Sequence, residues 1–309
     1  MTQTKNAAIT NIGHIGIQME NEAEMLEFYA ETLGLKPLFT LTCDDLRRAV
    51  QGQSPGPSEE FIRKLEQNPD LPWIRYMKLS DRQYLELFFN LGGPLNKIED
   101  RTEYYGFQKV TYETDRIEEL YRRITDAGAE ILREIHTDEN GIRTFAVQDP
   151  DGNEICFAEY TGKCVLPLGE GAGRESCSPL KFTTQVAFQV KNAAGMEEFY
   201  CRGLGLKKVC TLAGADYVEA APHQFLVLLY DDGAQKKEER DLSGYYGYQH
   251  ICLEVSDIHA AWDAVIQNGL KPDTEVSLGV DGAYQFWLTD PDGNRLELMQ
   301  YTAEAKQLM

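Results

Sequence analysis

The 309-residue chain contains no run near the roughly 18 apolar residues that cross a bilayer, and its opening MTQTKNAAIT lacks the basic and apolar segments of a signal peptide. Both absences predict a cytoplasmic protein that neither enters nor binds a membrane. Cysteine is sparse: seven residues, an odd number with no CxxC pair, which argues against a disulfide framework or a zinc knuckle and for free buried thiols. Positive charge is short as well, with 30 Lys and Arg against 50 Asp and Glu, a net charge of −20. Phosphate backbones are bound through basic patches, so nucleic acid is an unsuitable partner. What remains is globular in composition, 42% hydrophobic and 26% charged, with length for two domains that each bury a core. The expected partner is a small-molecule substrate, and the expected assembly a monomer or homodimer.

The chain repeats itself. MLEFYAETLGLKP (Met25 to Pro37) returns as MEEFYCRGLGLKK (Met196 to Lys208) at an offset of 171, Tyr29 against Tyr200. YYGFQKV returns as YYGYQHI and DPDGN as DPDGN at an offset of 141, Asp149 against Asp290. The offset falls by 30, so the first copy carries an insertion, placed at about 45–75, where SPGPSEEFIRKLEQNPDLPW reads as loops around a short helix. A segment rich in Gly, Pro and Ser at 164–180 reads as a linker between domains at 8–163 and 181–303.

Each copy divides again into a strand, an amphipathic helix and further strands. NIGHIGIQM alternates as a strand, Asn21 suits the cap of a helix carrying Met25, Phe28, Tyr29 and Leu33 at helical spacing, and Gly34 stops it. FAVQDPDGNEICFAEY reads as a hairpin turning at Pro150 and Gly152. The fold class is therefore α+β, four βαβββ modules in two tandem domains. The aspartates of the two DPDG segments are read as turn residues.

HIGIQ, LEFYAETLGLK and the twice-repeated DPDGN followed by Ile or Leu resemble the vicinal oxygen chelate superfamily, which includes glyoxalase I, extradiol dioxygenases and bleomycin-resistance proteins. The resemblance covers almost the whole chain outside the linker and insertion. It implies that modules pair into open β-cups and that metal ligands come from the first and last strands of two partners. Carried over residue by residue, those positions are His14 and Glu86 in module one, Lys109 and Cys156 in module two, Gln185 and Val227 in module three, and His250 and Glu297 in module four. Pairing of sequence neighbours leaves both cups incomplete. Pairing of module one with module four gathers His14, Glu86, His250 and Glu297 as metal ligands, and leaves Lys109, Cys156, Gln185 and Val227 in a lapsed cup.

Imidazole with carboxylate suits one divalent ion, whether Zn, Ni, Co, Mn or Fe. Strand alternation puts Gln18, Phe88, Asn90, Glu254 and Met299 beside the ligands as expected substrate contacts. The resemblance implies a metal-dependent lyase or isomerase in which Glu297 or Glu86 moves a proton next to a chelated carbonyl. Two alternatives stand: an Fe(II) extradiol-type dioxygenase using His14, His250 and Glu297, and a metal-free binding protein. The arginine positions with which glyoxalase I holds glutathione are Gln18 and Tyr246 here, which argues against glutathione. His136, His223 and His259 fall in loop or helix-surface contexts and are given no role.

Overall fold

The computed structural model describes residues 6–51, 56–98, 101–162, 164, 166, 178–230 and 244–309; most of the expected linker, 165 and 167–177, lies outside the described residues. Module one comprises β1 (Ile9–Gln18), α1 (Glu22–Glu27), β2 (Lys36–Thr42), α2 (Cys43–Ala49), α3 (Glu59–Gln67), β3 (Pro72–Ser80) and β4 (Gln83–Phe88). Module two follows with β5 (Gly106–Thr114), α4 (Ile117–Asp126), β6 (Ile131–Thr137), β7 (Ile142–Gln148) and β8 (Glu154–Tyr160). Module three has β9 (Leu180–Val190), α5 (Ala193–Glu197), β10 (Lys207–Leu212), β11 (Ala215–Ala221) and β12 (Gln224–Tyr230). Module four has β13 (Gly247–Val255), α6 (Ile258–Gln267), β14 (Ser277–Leu278), β15 (Ala283–Thr289) and β16 (Arg295–Tyr301). No helix among the described residues is long and apolar enough to cross a membrane.

These strands build two curled eight-stranded sheets, ordered β14-β15-β16-β13-β1-β4-β3-β2 and β10-β11-β12-β9-β5-β8-β7-β6. The first joins module one to module four through antiparallel β1 and β13; the second joins modules two and three through β5 and β9. The two-residue period decides which side chains face the cup. On β1, Ile15 and Ile17 enter the main core with Met25, Tyr29 and Leu33, so His14, Gly16 and Gln18 take the other face. On β4, β13 and β16 the same division sends Leu85, Leu87, Ile251, Leu253, Leu296 and Leu298 to the core. Their alternates are Glu86, His250 and Glu297.

The helices close the other side of each sheet. On α4, Ile117, Leu120 and Ile124 are buried at helical spacing, and on α6 Ile258, Ala261 and Val265. The helix after β1 ends in a π-helical turn over Phe28–Thr32, and Gly34 takes a φ of 77° just beyond it. Both DPDG segments are turns, as their sequence predicts, and they hold the preceding module's helix. Asp149 accepts the Tyr29 hydroxyl at 3.0 Å, and Asp151 accepts the backbone N–H groups of Glu20 and Asn21 at 2.9 and 3.0 Å. Asp290 and Asp292 do the same for Tyr200 and for Lys191 and Asn192. Asn21 differs from its expected role: its side chain caps nothing and donates instead to Asp151 at 2.8 Å.

Buried amides lock the two sheets together. Gln224 on β12 accepts the Ile12 N–H at 2.6 Å and donates to Asn11 at 3.0 Å, while Gln83 on β4 accepts the Thr183 N–H at 2.7 Å. A buried amide without such partners would cost of order 1–3 kcal/mol, so the network specifies one relative placement of the cups.

Candidate metal centre

The pairing of β1 with β13 and β4 brings together four residues spread over the chain. Gly16 stands opposite His250 on one side and Glu86 on the other, while Cys252 stands opposite His14 and Glu297. The Nε2 atom of His14 lies 3.0 Å from Glu297 Oε2, 3.1 Å from His250 Nε2 and 3.3 Å from Glu86 Oε1. His250 Nε2 lies 3.4 Å from Glu86 Oε2. All four side chains are at most 6% exposed. Among the described residues, His14, His250 and Glu297 form a group whose donor atoms lie within 4.8 Å of one another.

Hydrogen bonding alone does not account for this cluster. A single N–H on His14 Nε2 can serve one acceptor, yet two carboxylate oxygens and a second imidazole nitrogen crowd that atom within 3.3 Å. Two ligands each about 2.1 Å from one ion lie about 3.0–3.4 Å apart at ordinary coordination angles. The donor set therefore fits a divalent cation, and converging lone pairs are what such an ion satisfies. The far nitrogen of His14, Nδ1, is buried without a hydrogen-bond partner.

The electrostatics separate the two carboxylates. Burial works against ionising Glu86, but the charge of His14, a bond and charge from His250 and a bond from Tyr76 outweigh it, lowering its carboxyl to about 2. Burial raises the Glu297 carboxyl; a bond and charge from His14 offset this only in part, and the Glu86 charge adds to it. Burial also lowers His14, but Cys252, Glu86 and Glu297 reverse this and hold it well above the ordinary imidazole value.

Aromatic rings wall the site. Trp287, across from Glu297 on β15, lies edge-on to His250 at 5.0 Å between ring centres, and Phe88 does so at 5.9 Å. Tyr76 stands 6.3 Å from His14 and stacks on Phe39 at 4.3 Å. Gly16 supplies the space: a Cβ there would lie 2.3 Å from Cε1 and 2.4 Å from Nδ1 of His250. Tyr76 and Trp287 were not singled out from the sequence, and strand alternation places Gly16 only as a wall neighbour of His14. The available signal was partial, since Gly16 shares the strand face of His14, but its use depends on the partner strand's register.

The expected substrate contacts are dispersed. Phe88 and buried Met299 line the cup beside the donors. Gln18 and Asn90 sit farther along the strands, their amides donating to the carbonyls of Phe88 and Gly93 at 3.1 and 2.9 Å. Glu254, expected as a substrate contact, is buried and held by Arg82 at 2.8 Å and Asn11 at 3.3 Å, its carboxylate paired with a partly exposed guanidinium. His223, expected in a loop context, is a buried turn residue with φ 67°, and its Nε2 lies 3.1 Å from Glu113.

The second cup lacks the donors. Lys109 reaches Glu154 at 3.4 Å, and Arg133 bonds Glu154 at 2.5 Å and Cys156 at 3.3 Å. Burial pushes the Cys156 thiol up to about 11. Gln185 donates to the Tyr160 hydroxyl at 2.9 Å, and Val227 packs with Ala187 and Phe225 in an apolar cluster.

Paired βαβββ modules around an open cup, with histidine and carboxylate on facing strands, define a class of small-molecule site built on duplicated modules. The chain belongs to the Glyoxalase/Bleomycin resistance protein/Dioxygenase superfamily, whose family model matches residues 11–157 and 183–298. Glyoxalase I from Zea mays has a similar fold, at 18% identity and a TM-score of 0.61 over 94% of this chain and 92% of its own. A Bacillus subtilis protein named as a candidate dioxygenase aligns at 14% identity with a TM-score of 0.66, over 94% of this chain and 85% of its own. At these identities the likeness concerns the fold. Among curated proteins none matches the sequence significantly.

Proposed function

We propose that the protein is a metal-dependent lyase or isomerase of the glyoxalase type, acting on a small substrate with two neighbouring oxygens such as a hydroxy-ketone or hemithioacetal. The observation that carries this reading is the convergence of His14, Glu86, His250 and Glu297, with donor separations of 3.0–3.9 Å across the four imidazole–carboxylate pairs and the imidazole pair. A divalent ion bound by these four side chains would supply Lewis acidity, stabilising the charge that develops when a proton leaves the carbon beside a carbonyl. Glu297 is the base: its raised carboxyl takes a proton readily and can return it to the neighbouring carbon. Glu86, held ionised, anchors the site. The aromatic rings of Trp287, Phe88 and Tyr76 exclude water from the proton's path.

Elemental mass spectrometry on protein purified without a histidine tag tests the foundation. One divalent ion per chain is expected, lost in both His14→Ala and His250→Ala. Absence of metal after incubation with Zn, Ni, Co, Mn and Fe(II) would leave a metal-free binding protein as the better reading. The compact group of His14, His250 and Glu297 also suits an Fe(II) dioxygenase, but Glu86 within 3.4 Å of both imidazoles fills a place that oxygen and a catechol would need. Oxygen uptake with a catechol would reverse that order.

A further inference from the structure

The cup that holds the four donors carries an addition its twin lacks. Between β2 and β3 the chain forms α2 and α3, whereas β10 and β11 of module three are joined by Ala213 and Gly214 alone. α2 and α3 pack on each other through Cys43, Leu46 and Leu65, with Phe61, Trp73 and Leu91 against them. Together with the segment after β4, they line an open cavity of about 470 Å³ walled by Leu46, Phe61, Trp73, Phe88, Leu91 and Leu95. That volume lies within the range of pockets for small organic ligands.

Phe88 belongs to both places. It lies two residues beyond Glu86 on the same face of β4, lines the cavity, and sets its ring 5.9 Å from that of His250. Among the described residues the cavity wall has no charged side chain. Its two amides, Gln18 and Asn90, already donate to the backbone carbonyls of Phe88 and Gly93. An anionic group placed there would meet no cation in the wall, while an apolar ring would exchange water for apolar side chains.

We propose that the substrate carries a neutral aromatic or bulky aliphatic group on its chelating head, and that the α2 and α3 insertion is the specificity element that receives it. This inference rests on the metal-dependent reading of the same site. The head would bind at His14, Glu86, His250 and Glu297, and the apolar group would extend past Phe88 toward Phe61, Trp73 and Leu95. Phe61 and Leu95 are the informative positions, because they are half-buried and lie apart from the donors.

The test compares two chelators with the same two-oxygen head, acetohydroxamate and benzohydroxamate, titrated calorimetrically into the zinc-loaded protein. Benzohydroxamate should bind about tenfold or more tightly, relative to the ratio for aqueous zinc, as expected for burying about one aromatic ring. Phe61→Ala and Leu95→Ala should each bring the ratio toward the aqueous value, and Phe61→Leu should restore most of it. A wild-type ratio equal to that for aqueous zinc, or a ratio untouched by both alanine variants, would overturn the inference and leave the metal centre standing. Failure of the protein to retain zinc would instead remove the metal-dependent reading, and this inference with it.

Discussion

Replacing Gly16 by alanine would put a methyl carbon where the His250 ring stands. The ring cannot turn freely, because Phe88, Trp287 and His14 surround it. Gly16→Ala is therefore expected to weaken metal binding at least tenfold and to cost the metal-free fold about 1–3 kcal/mol, the usual penalty of overpacking, checked by zinc titration beside a urea melt. The two carboxylates should part company in the same way. Glu297→Gln is expected to keep the ion and lose roughly 10²–10⁴ in turnover, whereas Glu86→Gln should lose the ion itself. Equal losses of metal in both variants would show that the assignment of base and anchor is wrong. The four candidate ligands were legible because each falls on a position that a family resemblance marks. The pairing of Glu254 could not be read, because its partner Arg82 lies 172 residues away on the turn between β3 and β4. A strand's two-residue period tells which face a side chain takes, not which charge meets it there.

Among the elements, the DPDG turns are the joints between neighbouring modules. Asp151→Ala removes the acceptor for the N–H groups entering α1 and should destabilise the protein by about 1–2 kcal/mol, the usual cost of a lost helix cap. Asp290 gives a pH signature. Burial raises its carboxyl to about 6, against bonds from Asn294 and Tyr200 that lower it. The folded chain thus keeps a proton that the unfolded chain releases near pH 4, and between about pH 4 and pH 6 it binds more protons than the unfolded chain. The stability supplied by this group is present below that window and is lost as pH rises through it. Urea melts should show the advantage of wild type over Asp290→Asn shrinking by about 1–3 kcal/mol across the window. An advantage that grows with pH would contradict the burial argument. The turns, the core faces and α3 could be read from local pattern. The helix α2 could not, although Asp45 accepting the Thr42 N–H at 2.8 Å marks its start, because one short helix inside an insertion has no repeat to be compared with.

Taken whole, the molecule is a ring of modules. Turns tie module one to two and three to four, and sheets tie one to four and two to three. Module pairing could be inferred from completeness of the donor set, but nothing in the strand sequences themselves names the partner, since β1 would read the same beside β5 as beside β13. One core also runs continuously through all four modules. The halves should therefore not be independent: either alone should bind no metal, and coexpressed halves, divided within residues 167–177, should copurify and regain one ion per pair. A half that holds metal alone would refute this. The same topology sets an order of events during synthesis. Glu297 is made 283 residues after His14 (297 − 14), and β1 finds its antiparallel neighbour more than 200 residues later. While the ribosome is still on the first half, that half carries an imidazole and a carboxylate with nothing opposite them, so the four donors can meet only once module four has been made.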